Sequence, residues 1–441
     1  MITVLTYGTF DLLHYGHIRL LERAKKLGDF LIVGITADDF DKKRGKINVK
    51  QTLMERIEAV KATGLADKII VEEYEGQKID DIKRYGVDIF TLGSDWVGKY
   101  DYLNEYCRVI YLDRTEGVSS SKLRSEIKPI KMGVIGNYAP FINKVKNEDK
   151  YVNGLDIVGI CTNNIENMSD EIKRLSFITN NYNELLDNVD AVYIKNNPKD
   201  NYEIIKDAIK KGKHILCELP ITDNVRKTEE LYRLASENEI CLMPATRTAY
   251  STAYERLLLL LKGGIIGNIV SVDTACTSMV NLKKKESLND WGPTALLPIF
   301  QILGTEYVSK RIITNFEDNE KKHDIFTKIE FIYPNAVASM KVAESAKTEG
   351  EMIIMGTLGY VYVPAPWWKT EYFELRFEDS SKNKRYFYQL EGEGIRYELV
   401  TFSKWIESKK DLSYIDKQVS IQISKIFEDF NLRKDVTEIN I

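Results

Sequence analysis

Histidine and cysteine are scarce in this chain, with four of the first and five of the second among 441 residues. The cysteines (Cys107, Cys161, Cys217, Cys241, Cys276) are odd in number, widely spaced and flanked by apolar residues. A disulfide framework or a zinc site needs paired or clustered ligands, so these read as reduced, mostly buried thiols. No apolar run approaches the ~20 residues that span a bilayer. The amino end, Met1-Ile2-Thr3-Val4-Leu5, is a strand pattern without a basic leader. A cytoplasmic protein with no membrane span is the expectation. Excess charge is missing too: a formal net charge of -4 creates no basic field, and no nucleic-acid partner is expected. Internal repeats, low-complexity tracts and a Ser-His-Asp nucleophile are also lacking.

What is present is an ordinary globular composition, 44% hydrophobic and 29% charged, in a chain long enough for two to three domains. From residue 1 to 128, strand runs at Ile2–Tyr7, Phe30–Thr36, Ile69–Glu72, Ile89–Leu92 and Val109–Leu112 alternate with helical patterns at Leu20–Leu27 and Leu53–Thr63. Alternation predicts an α/β, Rossmann-like domain with a parallel sheet that binds ligand at the strands' carboxyl ends. Glu126 to Lys131 reads as a linker. A second alternating block, residues 132–250, predicts another Rossmann-like domain. Its strands fall at Met132–Gly136, Ile157–Cys161, Ala191–Ile194, His214–Cys217 and Ile240–Pro244, its helices at Tyr202–Lys211 and Lys227–Glu237. Residues 251–441 predict an α+β domain with a mostly antiparallel sheet, framed by helices at Ala253–Lys262 and Val419–Phe430.

Two of the four histidines stand three apart in Thr6-Tyr7-Gly8-Thr9-Phe10-Asp11-Leu12-Leu13-His14-Tyr15-Gly16-His17, directly after the first strand. That spacing puts both imidazoles on one helix face beside the free N–H groups of a helix start, an arrangement suited to phosphate. Gly16 lets the backbone approach a ligand. A basic loop, Lys42-Lys43-Arg44-Gly45-Lys46, follows the second strand. Arg114 to Ser121, with Ser119, Ser120 and Ser121 before a helical pattern, adds hydroxyls and a charged donor. An attacking phosphate monoester is already ionised near neutral pH, so such a site needs positioning and charge neutralisation rather than a general base.

Residues 1–128 resemble the cytidylyltransferase family from end to end, on His14-Tyr15-Gly16-His17, Gly93-Ser94-Asp95-Trp96-Val97-Gly98-Lys99-Tyr100-Asp101 and Arg114 to Ser121. The resemblance implies transfer of CMP from CTP to glycerol 3-phosphate or a similar alditol phosphate, giving CDP-glycerol and pyrophosphate with Mg²⁺ and feeding teichoic-acid-like or capsular polymers. It implies catalytic roles for His14, His17, Lys46 and Arg114. Nucleotide contacts fall to Tyr7, Gly8, Thr9, Phe10, Gly16, Arg56, Gly93, Asp95, Arg114 and Ser119–Ser121. Lys43, Lys46 and Trp96 would meet the acceptor, and Asp11 the metal.

Residues 132–441 resemble the Gfo/Idh/MocA oxidoreductase family, on Met132 to Gly136, Asp190 to Ile194, Gly212 to Pro220, Gly263 to Ile269 and Asp290 to Thr294. The family's chemistry is degraded here. Gly136 is followed by Tyr138 and Phe141 where a dinucleotide fingerprint has glycines, and Cys161-Thr162-Asn163-Asn164 lacks the ribose-binding acid. The family's Glu-Lys-Pro is Glu218-Leu219-Pro220, and Thr294 stands in place of a histidine four residues after Asp290. The expectation is a non-catalytic frame for oligomerisation or ligand sensing, with NAD(P) not used in catalysis and a homo-oligomer as the assembly. A rival reading makes this region an NAD(P)-dependent reductase that supplies the alditol phosphate. Trp367-Trp368 reads as packing or interface before it reads as a site.

Overall fold

The computed structural model describes residues 2–38, 49–74, 76–113, 129–152, 154–279, 286–317, 323–388, 390 and 392–440. The chain divides into two compact units, Met1–Pro129 and Ile130–Ile441.

The first unit runs β1 (Thr3–Gly8), α1 (Tyr15–Lys25), β2 (Phe30–Thr36), α2 (Leu53–Ala62), β3 (Lys68–Glu72), α3 (Gln77–Tyr85), β4 (Ile89–Gly93) and β5 (Arg108–Leu112). Its strands are fully parallel in the order β3-β2-β1-β4-β5. The order reverses between β1 and β4, and that switch point is where a doubly wound sheet opens a crevice at its carboxyl edge. Val4, Leu31 and Val33 pack one face of the sheet and Leu5, Ile32 and Phe90 the other, as near-continuous apolar strands require. Helix α1 begins at Tyr15, earlier than its apolar pattern indicates, because His14 caps it. Helix α3 has no counterpart among the expected elements: Ile79, Ile82 and Tyr85 pack on the core, but Gln77, Lys78 and Asp81 are buried beside them and blur its apolar period.

The second unit opens with β6 (Ile130–Gly136), α4 (Ala139–Asp149), β7 (Leu155–Cys161), α5 (Asp170–Lys173), β8 (Phe177–Thr179), α6 (Tyr182–Asn188), β9 (Ala191–Lys195), α7 (Asn201–Lys210), β10 (His214–Glu218), α8 (Val225–Glu237) and β11 (Leu242–Ala245). These strands form a parallel sheet in the order β11-β10-β9-β6-β7-β8. There follow α9 (Thr252–Lys262), β12 (Ile269–Thr277), α10 (Ser287–Leu303), β13 (Ser309–Phe316), β14 (Asp324–Ile332), β15 (Val337–Ala343), β16 (Met352–Gly356), β17 (Tyr360–Val363), β18 (Tyr372–Arg376), β19 (Lys384–Phe387), α11 (Ile395–Ser408), α12 (Lys417–Asn431) and β20 (Val436–Glu438). The nine strands make one mixed, mostly antiparallel sheet, parallel at β12/β15 and β13/β20.

Residues 132–250 and 251–441, expected as separate domains, belong to this one unit. The reason lies in α11 and α12, which return to the parallel sheet and its helices. The Tyr193 hydroxyl bonds Glu398 Oε2 at 2.6 Å, Thr228 Oγ1 donates to Ser424 Oγ at 3.0 Å, and Asn224 Nδ2 donates to Glu428 Oε1 at 2.6 Å. All five cysteines are free; four are buried and Cys107 is half-buried. Among the described residues no helix is long and apolar enough to cross a membrane.

Candidate active site

The turn from β1 into α1 is built under strain. Phe10 and Leu12 adopt φ of 53° and 47°, a region that bulky side chains enter only when their surroundings hold them there. Phe10 is held by full burial in the core. The Leu12 amide donates to Gln51 Oε1 at 2.7 Å, and Asp11 Oδ1 accepts the amides of Lys50 and Gln51 at 3.0 and 2.9 Å. The next residue but one, His14, is the N-cap of α1, its Nδ1 accepting the Gly16 amide at 3.1 Å. A neutral ring that accepts at Nδ1 carries its proton on Nε2, so this bond assigns Nε2–H as a donor. The His17 ring stacks on His14 with centroids 3.9 Å apart and planes 20° from parallel, while Phe10 meets His17 edge-on at 5.5 Å. Two imidazoles thus share the positive end of α1 at the β1/β4 switch point.

Other expected contact residues fall into place differently. Tyr7 turns into the core, where its ring lies over Gly34 of β2: a Cβ at Gly34 would stand 2.2 Å from it. Its hydroxyl donates to Asp81 Oδ2 at 2.5 Å, and burial with that carboxylate holds its proton far above the usual range. The Tyr7 side chain is therefore a core group. Arg56, expected at the nucleotide, is fully buried, and its guanidinium donates to the carbonyls of Thr9 (2.7 Å), Thr36 (2.9 Å) and Gln51 (3.2 Å) and pairs with Asp38. It ties the ends of β1 and β2 to the start of α2. Asp11, expected at the metal, is 4% exposed and clamps the same junction through its two amide bonds.

At Gly8 a Cβ would press 2.9 Å against the Phe10 ring, which is why the strained turn needs glycine there. A Cβ on Gly93, at the end of β4, would meet open space. Trp96, in a 3-10 turn after β4, packs on Tyr100 at 5.9 Å with the Lys99 ammonium 4.6 Å from its ring. Lys43, Lys46, Arg114, Ser119, Ser120, Ser121 and the Asp95 side chain lie outside the described residues. Sequence reasoning missed the buried polar floor: Gln77 Nε2 donates to Asp81 at 3.0 Å, Thr36 Oγ1 to Glu72 at 3.0 Å, and Lys78 pairs with Glu72 beneath Tyr7 and Tyr100. The one trace in the sequence is the Gln77/Asp81 spacing of four. Among the described residues no three His, Cys, Asp or Glu side chains cluster to hold a metal.

In the second unit the turn after β6 enters α4 with no further glycine after Gly136. Pro140 has no N–H, and the Phe141 and Ile142 amides are both donated to the Tyr138 carbonyl, at 3.1 and 3.2 Å. Asn137 Oδ1 accepts from Thr162 Oγ1 (3.1 Å) and the Asn163 amide (2.8 Å), closing the ends of β6 and β7 with neutral groups. Glu218 sits at the end of β10, accepting from the Tyr193 hydroxyl at 2.9 Å, and Lys195 on the neighbouring strand puts its ammonium 3.7 Å from the same carboxylate. A cation thus stands beside Glu218 although residue 219 is leucine. Asp290 and Thr294 are one turn apart on α10, and the Asp290 carboxyl shares a hydrogen bond with Glu344. Trp367 is buried, its Nε1 donating to the Ala275 carbonyl at 3.0 Å, and Trp368 packs edge-on against Trp291, so the pair is packing.

Residues 5–126 match the profile of cytidylyltransferase-like proteins, and residues 130–246 that of an oxidoreductase family with an NAD-binding Rossmann fold. The chain is 46% identical over 124 residues to the glycerol-3-phosphate cytidylyltransferase of Bacillus spizizenii, which covers 28% of this chain and 95% of that protein. It is 45% identical over 127 residues to the enzyme of the same name from Staphylococcus aureus, covering 28% and 93%. Among solved structures, KijD10, a 3-ketoreductase from Actinomadura kijaniata in complex with NADP and TDP-benzene, superimposes with a TM-score of 0.62 at 17% identity, over 71% of this chain and 99% of that one. At that identity the likeness concerns the fold.

Proposed function

The chain belongs to the cytidylyltransferase-like family through its first unit, and from that premise we propose that it joins CMP from CTP to glycerol 3-phosphate, releasing pyrophosphate and CDP-glycerol. An acceptor phosphate oxygen forms the new bond to the α-phosphorus as the bond to the β-phosphate oxygen breaks. Negative charge then grows on the bridging oxygen and on the pentacoordinate phosphorus. The stacked His14/His17 pair carries this reading: His14 donates from Nε2, His17 stands on the same face, and the start of α1 adds its partial positive charge. The strained turn, clamped by Asp11, Gln51 and Arg56, fixes both rings before substrate arrives. Mg²⁺ is part of the nucleotide substrate in this scheme, since a triphosphate brings the hard oxygen ligands the ion prefers. Lys43, Lys46, Arg114 and the serines after it are proposed to close over the phosphates. The test is pyrophosphate release from CTP against a panel of polyol phosphates, with glycerol 3-phosphate expected to give the largest turnover and CTP alone almost none. Equal release with every acceptor would overturn the assignment.

The second unit is proposed to act as a frame rather than a dehydrogenase, because Pro140 lacks an N–H, the Phe141 and Ile142 amides are donated within α4, and Tyr138 and Phe141 stand where a fingerprint has glycines. Exposed Ile332, Val337, Met355 and Phe387 on its nine-stranded sheet suit assembly of several copies, and the cytoplasm, where CTP is made, is the proposed compartment. The bifunctional reading rests on Lys195 beside Glu218. Titration with NADH and NADPH separates the two: no change in cofactor fluorescence supports the frame, and saturable binding supports a reductase.

A further inference from the structure

One carboxylate oxygen in the second unit is shared by three cations. Glu393 Oε2 lies 2.8 Å from Lys144 Nζ on α4, 3.0 Å from Lys369 Nζ and 3.2 Å from an Arg247 terminal nitrogen. These distances keep any two of the three nitrogens within about 6 Å of each other, so one small oxyanion can reach all three. A phosphate monoester brings about -1.5 to -2 charges and three strong acceptor oxygens to such a tripod, more than one carboxylate oxygen offers.

The loop that delivers Glu393 is itself under strain. Gly392, Glu393 and Gly394 take φ of 56°, 52° and 89° in succession, a left-handed run in which the residue with a side chain is the costly one. A Cβ at Gly392 would stand 2.1 Å from a Glu148 carboxylate oxygen, which would have to move. Beside the tripod is a shallow hollow of about 350 Å³ lined by Pro364, Pro366, Lys369, Thr370, Glu371 and Tyr372, within the range of small-molecule sites. Arg247 also interacts electrostatically with Glu218, Tyr193 and Glu398. Hydrogen bonds from Lys144 and Lys369 hold the Glu393 carboxyl down at about 2 although partial burial opposes them, so it stays anionic as a stand-in.

We propose that Lys144, Arg247 and Lys369 form a phosphate-monoester site which Glu393 occupies as an internal, displaceable anion, its loop released when a phosphate-bearing ligand binds. The proposal is independent of the chemistry of the first unit. Hydrogen–deuterium exchange of the full chain, read on a peptide covering residues 388–398 at constant ionic strength, tests it. Inorganic phosphate and glycerol 3-phosphate should each accelerate exchange there about threefold or more by freeing the turn, while chloride should not. In Glu393→Gln the peptide should exchange fast without added anion and gain nothing from phosphate. In Lys144→Gln/Lys369→Gln, both partly exposed positions, the phosphate response should disappear. Acceleration by chloride as well, a response retained in the double variant, or a response to CTP alone would overturn the proposal, the last by placing the trigger in the first unit.

Discussion

At the scale of single residues, His14 has two separable duties. As N-cap its acceptor contributes about 1 kcal/mol to α1, and as a donor from Nε2 it is proposed to meet phosphate. His14→Asn keeps a capping oxygen and loses the imidazole. Thermal unfolding should stay within a few degrees of the parent while turnover falls by about 10²-fold or more. The histidine pair was legible in the sequence because its chemistry is local: a spacing of three after a strand. Arg56 was not, because sequence displays its charge but not the Thr9, Thr36 and Gln51 carbonyls that fold around it. Arg56→Met should therefore act on stability, removing the guanidinium that those carbonyls and Asp38 share, at a cost of about 2–4 kcal/mol in urea unfolding of the first unit. A variant with native stability and an isolated loss of CTP affinity would instead return Arg56 to the triphosphate.

At the scale of elements, legibility followed the period of burial. β2 is buried from Leu31 to Thr36 and its limits were read to the residue, whereas α3 buries Gln77, Lys78 and Asp81 beside its apolar Ile82, and α10 carries Pro293 and Pro298 inside. α11 shows how a buried acid couples an element to pH. Burial first, then the nearby Glu218, raises Glu398 from an ordinary 4.5 to about 8. A single Tyr193 proton cannot satisfy both Glu218 and Glu398, which favours a protonated Glu398 donating to the phenol oxygen. A folded-state pKa above the unfolded one contributes stability that is complete below pH 4.5 and is lost as pH rises towards 8. Asp324 and Glu344, each pushed up to about 7 by burial, act in the same direction. The second unit should therefore melt at a lower temperature at pH 8 than at pH 5, and Glu398→Gln should flatten that slope. An unchanged slope in the variant would refute the coupling.

At the scale of the whole molecule, sequence resolved the boundary near residue 129 because apolar alternation stops and restarts there. It did not reveal that residues 132–441 form one unit, since the bonds joining α11 and α12 to the parallel sheet and its helices span about two hundred positions. The first unit alone corresponds to nearly the full length of the glycerol-3-phosphate cytidylyltransferases of Bacillus spizizenii and Staphylococcus aureus. A chain ending at residue 129 should accordingly retain CTP turnover within a few-fold of the parent and lose any higher oligomer, as light scattering would report. The most direct measurement is single-turnover release of pyrophosphate from CTP and glycerol 3-phosphate by the parent chain, His14→Asn and His17→Asn, with CTP binding followed in parallel. Paired imidazoles acting on the transferring phosphorus predict a loss of about 10²-fold or more in the chemical step of each variant, with folding intact. Near-parental rates in both would contradict that role for the pair.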